Sequence, residues 1–97
     1  MYARVTIGQS KPGTSDQGIR LHRDSVAPAC KQQKGFKGLY LLTDHKTNKS
    51  ITITLWDTEA DMTAAEASGF YQQQVAKFKD VLSAVPVRES YEVSVHP

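Results

Sequence analysis

Four strand-like stretches and two of helical spacing, taken in their order along the chain, predict an α+β fold of the order βαββαβ. That order means an antiparallel sheet with two helices laid on one of its faces. Length agrees, because 97 residues supply one domain at the usual scale of about 100 to 200 residues each. The expected domain spans residues 1–97.

The first strand is read at residues 2–8, where Ala3, Val5 and Ile7 alternate with Tyr2, Arg4 and Thr6, the period-two mark of a half-buried strand. Lys11-Pro12-Gly13-Thr14-Ser15-Asp16 then brings turn and N-cap chemistry. Ile19, His22 or Arg23, Val26 and Cys30 follow at helical spacing, so a first helix is expected to run to about Gln33 and to stop at Gly35. Pro28 lies inside it and should bend or interrupt it, since proline lacks the amide donor and crowds the preceding turn.

Phe36–Thr43 is apolar on both alternations, whereas Ser50–Trp56 alternates strictly, with Ile51, Ile53 and Leu55 against Thr52, Thr54 and Trp56. These are the second and third strands. The polar run from Asp44 to Lys49 is their hairpin connection, in which Asn48 accepts a left-handed conformation. Asp57 or Thr58 caps a second helix whose first turn carries Glu59 and Asp61, where the helix dipole favours negative charge. Gly69 interrupts that helix. Beyond it Tyr71, Val75, Phe78, Leu82 and Val85 form an amphipathic stripe that is expected to stay helical up to Pro86, before a last strand over Val87–Val95.

The arrangement is the ferredoxin-like one. Its sheet would have one apolar face, with Ala3, Val5, Ile7, Ile51, Ile53, Leu55, Val87, Tyr91, Val93 and Val95. The other face mixes Arg4, Thr6, Thr52, Thr54, Trp56, Ser90 and Glu92. Two helices cover only one face, and a chain this short buries only about 60% of its unfolded surface, so association is expected on size alone.

Several function classes drop out. No apolar run nears the ~20 residues of a membrane span, the amino-terminal residues alternate like a strand and do not read as a signal peptide, and one cysteine, Cys30, allows no internal disulfide. A reducing, cytoplasmic setting is expected. The formal charge of +2 is too balanced to argue for nucleic acid or an anionic membrane. Lys34-Gly35-Phe36 opens like an RNA-binding signature, but Gly38 and Leu41 stand where stacking rings belong, and Lys31, Lys34 and Lys37 read as a solvated helix end. Three histidines without shared spacing make no metal site.

The run Lys34-Gly35-Phe36-Lys37-Gly38, then Asp44 and the turn, then Ile51-Thr52-Ile53-Thr54-Leu55-Trp56-Asp57-Thr58-Glu59 and the closing Ser90-Tyr91-Glu92-Val93, resembles the antibiotic biosynthesis monooxygenase (ABM) domain of the dimeric α/β-barrel superfamily. Lys34 replaces the proline usual there. The resemblance implies a homodimer whose sheets meet face to face in an α+β barrel, each subunit keeping a pocket between sheet and helices. It further implies a cofactor-independent monooxygenase, without metal or flavin, acting on a small aromatic or polycyclic quinol-type substrate. Haem-degrading relatives use an Asn on the first strand and a His on the second helix. This chain has neither, so haem oxygenation is not expected.

If the apolar face makes the barrel, the mixed face lies under the helices, and Thr52 and Thr54 should be shielded from solvent. Trp56, Thr6, Thr54, Tyr40, Phe70 and Tyr71 are then the candidate ligand-binding wall, and His22 and Arg4 the candidate catalytic aids, one as a base and one holding a phenolate or carboxylate. Each also has a plainer reading: Trp56 as a packing anchor, His22 as a satisfied structural group, the others as core or surface. Cys30 is expected to be buried and inert. The competing function is a non-enzymatic, small-ligand-binding or stress-responsive dimeric barrel protein.

Overall fold

The computed structural model describes residues 1–97. Its elements are β1 (Tyr2–Gln9), α1 (Ser15–Leu21), a single π-helical turn (His22–Val26), α2 (Ala27–Cys30), β2 (Phe36–Asp44), β3 (Lys49–Trp56), α3 (Glu59–Ala67), α4 (Phe70–Ala76) and β4 (Val87–Glu92). The four strands form one sheet in the order β2-β3-β1-β4, every pair antiparallel. This is the ferredoxin-like α+β arrangement. No helix is long and apolar enough to cross a membrane.

Register explains the two faces. Arg4 is level with Thr54 and Ser90, and Thr6 with Thr52 and Arg88, all on the side under the helices. Val5 is level with Ile53, and Ile53 with Tyr40, on the open side. There Tyr40, Leu42, Val87 and Tyr91 stand at least half exposed. Only 10 of the 97 residues are buried, in keeping with a sheet face that no helix of the chain covers. Seven of them form two small clusters beneath the helices. One joins Val26, Cys30, Phe78 and Val81 and the other joins Trp56, Met62 and Ala65, with Phe36 and Phe70 packed against both.

Pro28 does interrupt the first helix, by widening it. In a regular α-helix its ring would press on the Asp24 carbonyl four residues back. Instead the Ala27 amide bonds to the His22 carbonyl, five residues back, and the extra residue relieves the crowding. Helical structure ends at Cys30, short of the expected Gln33. Gly35 follows with φ +81°, and a side chain there would overlap the Asp61 carboxyl, so both its conformation and its space require glycine.

Thr58 caps α3, its hydroxyl accepting from the Asp61 amide at 3.1 Å. Gly69, at φ +87°, makes the left-handed break before α4. The second helix then stops at Ala76 and does not reach Pro86. The end of β1 claims the chain instead: Lys11 N–H donates to the Val81 carbonyl at 2.7 Å, Ser83 N–H donates to the Gln9 carbonyl at 2.9 Å, and Ser10 bridges Leu82. Phe78, Val81 and Leu82 still point inward from turns, but Val85 is 90% exposed. β4 likewise ends at Glu92, so Val95 lies beyond the sheet. Asn48 adopts the left-handed conformation, φ +61°, in the β2–β3 turn.

Candidate functional site

A cavity of about 100 Å³ lies between the mixed face of the sheet and the helices. Alternate residues of β1 and β3 form its floor, since side chains two apart share a face. These are Arg4 and Thr6 on β1, and Thr52, Thr54 and Trp56 on β3. The helices and the segment after α4 provide the roof, with His22, Phe70, Tyr71 and Phe78. Thr52 and Thr54 are neither exposed nor idle, as the shielding of this face requires.

His22 enters from the π-helical turn. Its Nδ1 lies 2.9 Å from the Gly18 carbonyl, which can only accept, so Nδ1 carries the proton. Nε2 is therefore the bare nitrogen, and it accepts from the Thr52 hydroxyl at 3.0 Å. The ring leans on Phe78 with 4.6 Å between centroids. Burial lowers the His22 pKa below its ordinary value and the bond to Gly18 offsets part of that, so the imidazole is neutral at pH 7.

Two further polar pairs face the same space. Thr6 Oγ1 and Tyr71 Oη are 3.0 Å apart. Trp56, on the last residue of β3, donates from Nε1 to Thr54 Oγ1 at 3.0 Å and meets the edge of Phe36 at 5.7 Å. Its indole is anchored at both its polar and its apolar ends.

Arg4 is only 8% exposed. Nη1 donates to the Glu89 carbonyl at 3.0 Å, and Nη2 is paired with the Glu66 carboxylate from α3. Glu66 also meets Arg88 Nη1 at 3.4 Å, and the Arg88 guanidinium lies 5.2 Å from the centre of the Tyr71 ring. Burial first, and then repulsion from Arg88, lower the Arg4 pKa, and the nearby Tyr71 opposes them.

Seven of the eight residues singled out in the sequence thus line one cavity: Arg4, Thr6, His22, Thr54, Trp56, Phe70 and Tyr71. Tyr40 does not. It stands on the open face of the sheet, 60% exposed. A bulge at Lys37, between the Phe36–Trp56 and Gly38–Leu55 pairs, shifts the alternation of β2 and turns Tyr40 away from the helices. Sequence reasoning overlooked Glu66 and Arg88. The signal for Glu66 was present, because a buried arginine needs a carboxylate and Glu66 lies one helical turn after Met62, whose side chain faces the sheet.

Cys30 lies at the cavity wall, 3% exposed, and burial pushes its thiol up to about 11. No three His, Cys, Asp or Glu side chains converge as a metal site would require.

No family model matches the chain. The uncharacterized protein Rv2557 of Mycobacterium tuberculosis is 31% identical over 98 residues, covering 97% of this chain and 41% of its own length. Rv2558 of the same organism, also uncharacterized, is 35% identical over 65 residues, covering 67% of this chain and 28% of its own. The chain therefore spans about two-fifths or less of these curated relatives.

Among solved structures, a protein from Deinococcus radiodurans provisionally named an antibiotic biosynthesis monooxygenase superposes with a TM-score of 0.78 at 15% identity, covering 100% of this chain and 96% of its own. One from Nitrosomonas europaea, under the same provisional name, gives 0.77 at 12% identity, covering 98% and 100%. A second protein of that organism, of unknown function, gives 0.79 at 18% identity, covering 99% and 91%. The chain has the fold these proteins share.

Proposed function

We propose that residues 1–97 form one ABM-like domain, that two copies pair through their open sheet faces, and that each copy binds a small hydroxylated aromatic molecule in the helix-covered cavity. The favoured activity is its oxidation by O2 without a cofactor, in the cytoplasm, with no nucleic acid or membrane as partner. One observation carries this reading. Two polar pairs, His22–Thr52 and Thr6–Tyr71, face a cavity that Trp56, Phe70 and Phe78 also line, together with the Arg4–Glu66 pair. An apolar pocket with a few convergent polar groups is the usual form of a small-molecule site.

Volume narrows the ligand. An apolar cavity of about 150 Å³ takes one benzene ring and drug-sized pockets begin near 300 Å³, so the cavity of about 100 Å³ is far too small for a polycyclic quinol, and a single ring enters only as the lining side chains give way. A quinol hydroxyl would take the place of the Thr52 hydroxyl or donate to it, passing its proton toward His22 Nε2. Tyr71 and Thr6 would hold the second oxygen, and Trp56 and Phe70 the ring. The overall change is quinol plus O2 to hydroxyquinone plus water. One oxygen atom enters a ring C–H bond, the other leaves as water with two hydrogens from the substrate, and the substrate is the only reductant. Keeping the phenolate dry and oriented is the protein's contribution.

The runner-up, binding without chemistry, draws on one feature. His22 Nδ1 is tied to a backbone carbonyl and not to a carboxylate, which leaves the imidazole a weak base. An oxygen electrode and a calorimetric titration, both with methylhydroquinone, test the two readings. Oxygen uptake above the autoxidation rate, cut at least tenfold in His22→Gln and reduced in Trp56→Phe, supports the oxidase reading. Saturable binding with no added uptake supports the binder, and absence of both removes the ligand site.

A further inference from the structure

The arginine fork at one end of the cavity is half filled. A carboxylate grips a guanidinium most firmly along one side, with two parallel bonds to Nε and Nη2. On Arg4 the Glu66 carboxylate takes Nη2, while Nε is wholly buried and has no partner. Buried N–H groups without partners are rare in native proteins and call for an explanation.

The charges are unbalanced at the same place. Glu66 serves both Arg4 and Arg88, so two guanidinium groups share one carboxylate. Arg4 and Arg88 repel each other across neighbouring strands of the same face, and one negative charge is wanting. The surrounding wall belongs to Tyr71, Phe70 and Trp56.

We propose that Arg4, Arg88 and Glu66 form an anion subsite that takes the carboxylate of a small aromatic acid, the acid's ring lying on the aromatic wall of the cavity. The proposal deepens the reading of this cavity as a ligand site and rests on it. Glu66 is the internal stand-in for the ligand's carboxylate. When the acid arrives, it takes the Nε–Nη2 side of Arg4, and Glu66 is left to Arg88 alone, on the solvent side, where the Arg88 side chain is 43% exposed. That exchange gives Nε its missing partner and brings the cluster to neutrality. Lysine in place of Arg4 could not present two parallel donors.

Calorimetric titration of the full chain at pH 7 with benzoate, with its neutral isostere benzamide and with phenol tests this, together with the NMR signal of the Arg4 Nε–H during each titration. Benzoate is expected to bind at least tenfold more tightly than benzamide and to shift the Arg4 Nε–H signal downfield. Glu66→Gln removes the competing carboxylate and should tighten benzoate several-fold, widening its margin over benzamide. Equal affinities for benzoate and benzamide, or benzoate binding that leaves the Arg4 Nε–H signal unmoved, would overturn the anion subsite. The NMR arm uses the unaltered protein, so the outcome stands even if Glu66→Gln fails to fold. Phenol binding with no benzoate binding removes the subsite and keeps the cavity's proposed function, whereas no binding by any of the three probes removes both.

Discussion

Thr6 on β1 and Tyr71 on α4 meet through their hydroxyls at 3.0 Å, joining the floor of the cavity to its roof. Gly69 breaks the chain just before α4, and no residue of α4 is fully buried. This bond and the packing of Phe70 are therefore prominent among the contacts that hold the roof down. Tyr71→Phe should cost about 1–2 kcal/mol by leaving the Thr6 hydroxyl half-buried without its partner. For a domain of this size that lowers Tm by roughly 4–8 °C per kcal/mol. Adding Thr6→Val should recover part of the loss, and a thermal melt of the two single variants and the double variant reads the coupling. Additive losses would show that the hydroxyls do not interact.

His22 gives the stability a pH dependence whose sign follows from burial. Its folded pKa is lowered below the model-peptide value of about 6.5. Between those two values the unfolded chain binds more protons than the folded one, so the stability contributed by neutral His22 is complete above the unfolded pKa. It declines as pH falls through that value toward the folded pKa, and levels off below it. Urea midpoints between pH 5 and 8 should fall on the acid side in the parent protein. His22→Gln should flatten that part of the slope while lowering the whole curve.

The open sheet face is the proposed dimer contact, and Leu42, level with Ile51 and half exposed, stands within it. Leu42→Glu would place a charge in an apolar interface without a counter-ion, weakening association at least tenfold. Sedimentation velocity across a concentration series would show a dimer shifting to monomer. An unchanged sedimentation coefficient would move the interface elsewhere.

Gly35 and Gly13 have the same positive φ of 81°, but only Gly35 is crowded, by the Asp61 carboxyl. Gly13→Ala should carry the backbone strain alone, about 1 kcal/mol. Gly35→Ala should cost more, because Asp61 must move and the Gly35 carbonyl that accepts from the Asp57 amide at 2.7 Å moves with it. Denaturant midpoints for the two variants separate strain from crowding.

Period-two patterns were legible because a strand's faces alternate without exception until something inserts a residue. Where that rule held, in β1 and β3, sequence placed Arg4, Thr6, Thr54 and Trp56 on the side where the structure has them. It failed for Tyr40 because β2 is apolar on both alternations, which hides the bulge at Lys37. The long helical stripe after Gly69 misled for a different reason. Phe78 and Leu82 do face inward, but they reach the core from turns held by the end of β1, a contact between segments some 70 residues apart that no local pattern records. Pro28 announced a disturbed helix, which forms as a π-helical turn with Val26 and Cys30 in one cluster.

β1 lies between β3 and β4, and its pairing with β4 joins segments 80 or more residues apart, down to the Val93 amide on the Met1 carbonyl at 2.9 Å. Such distant partners are slow to find one another, since loop closure must come before any contact that rewards it. On a ribosome, β1 can pair with β3 while its other edge waits for residues 87–92. The Glu89 carbonyl that receives Arg4 arrives with that last strand, so the charged part of the cavity takes shape only once residues 87–92 have been made.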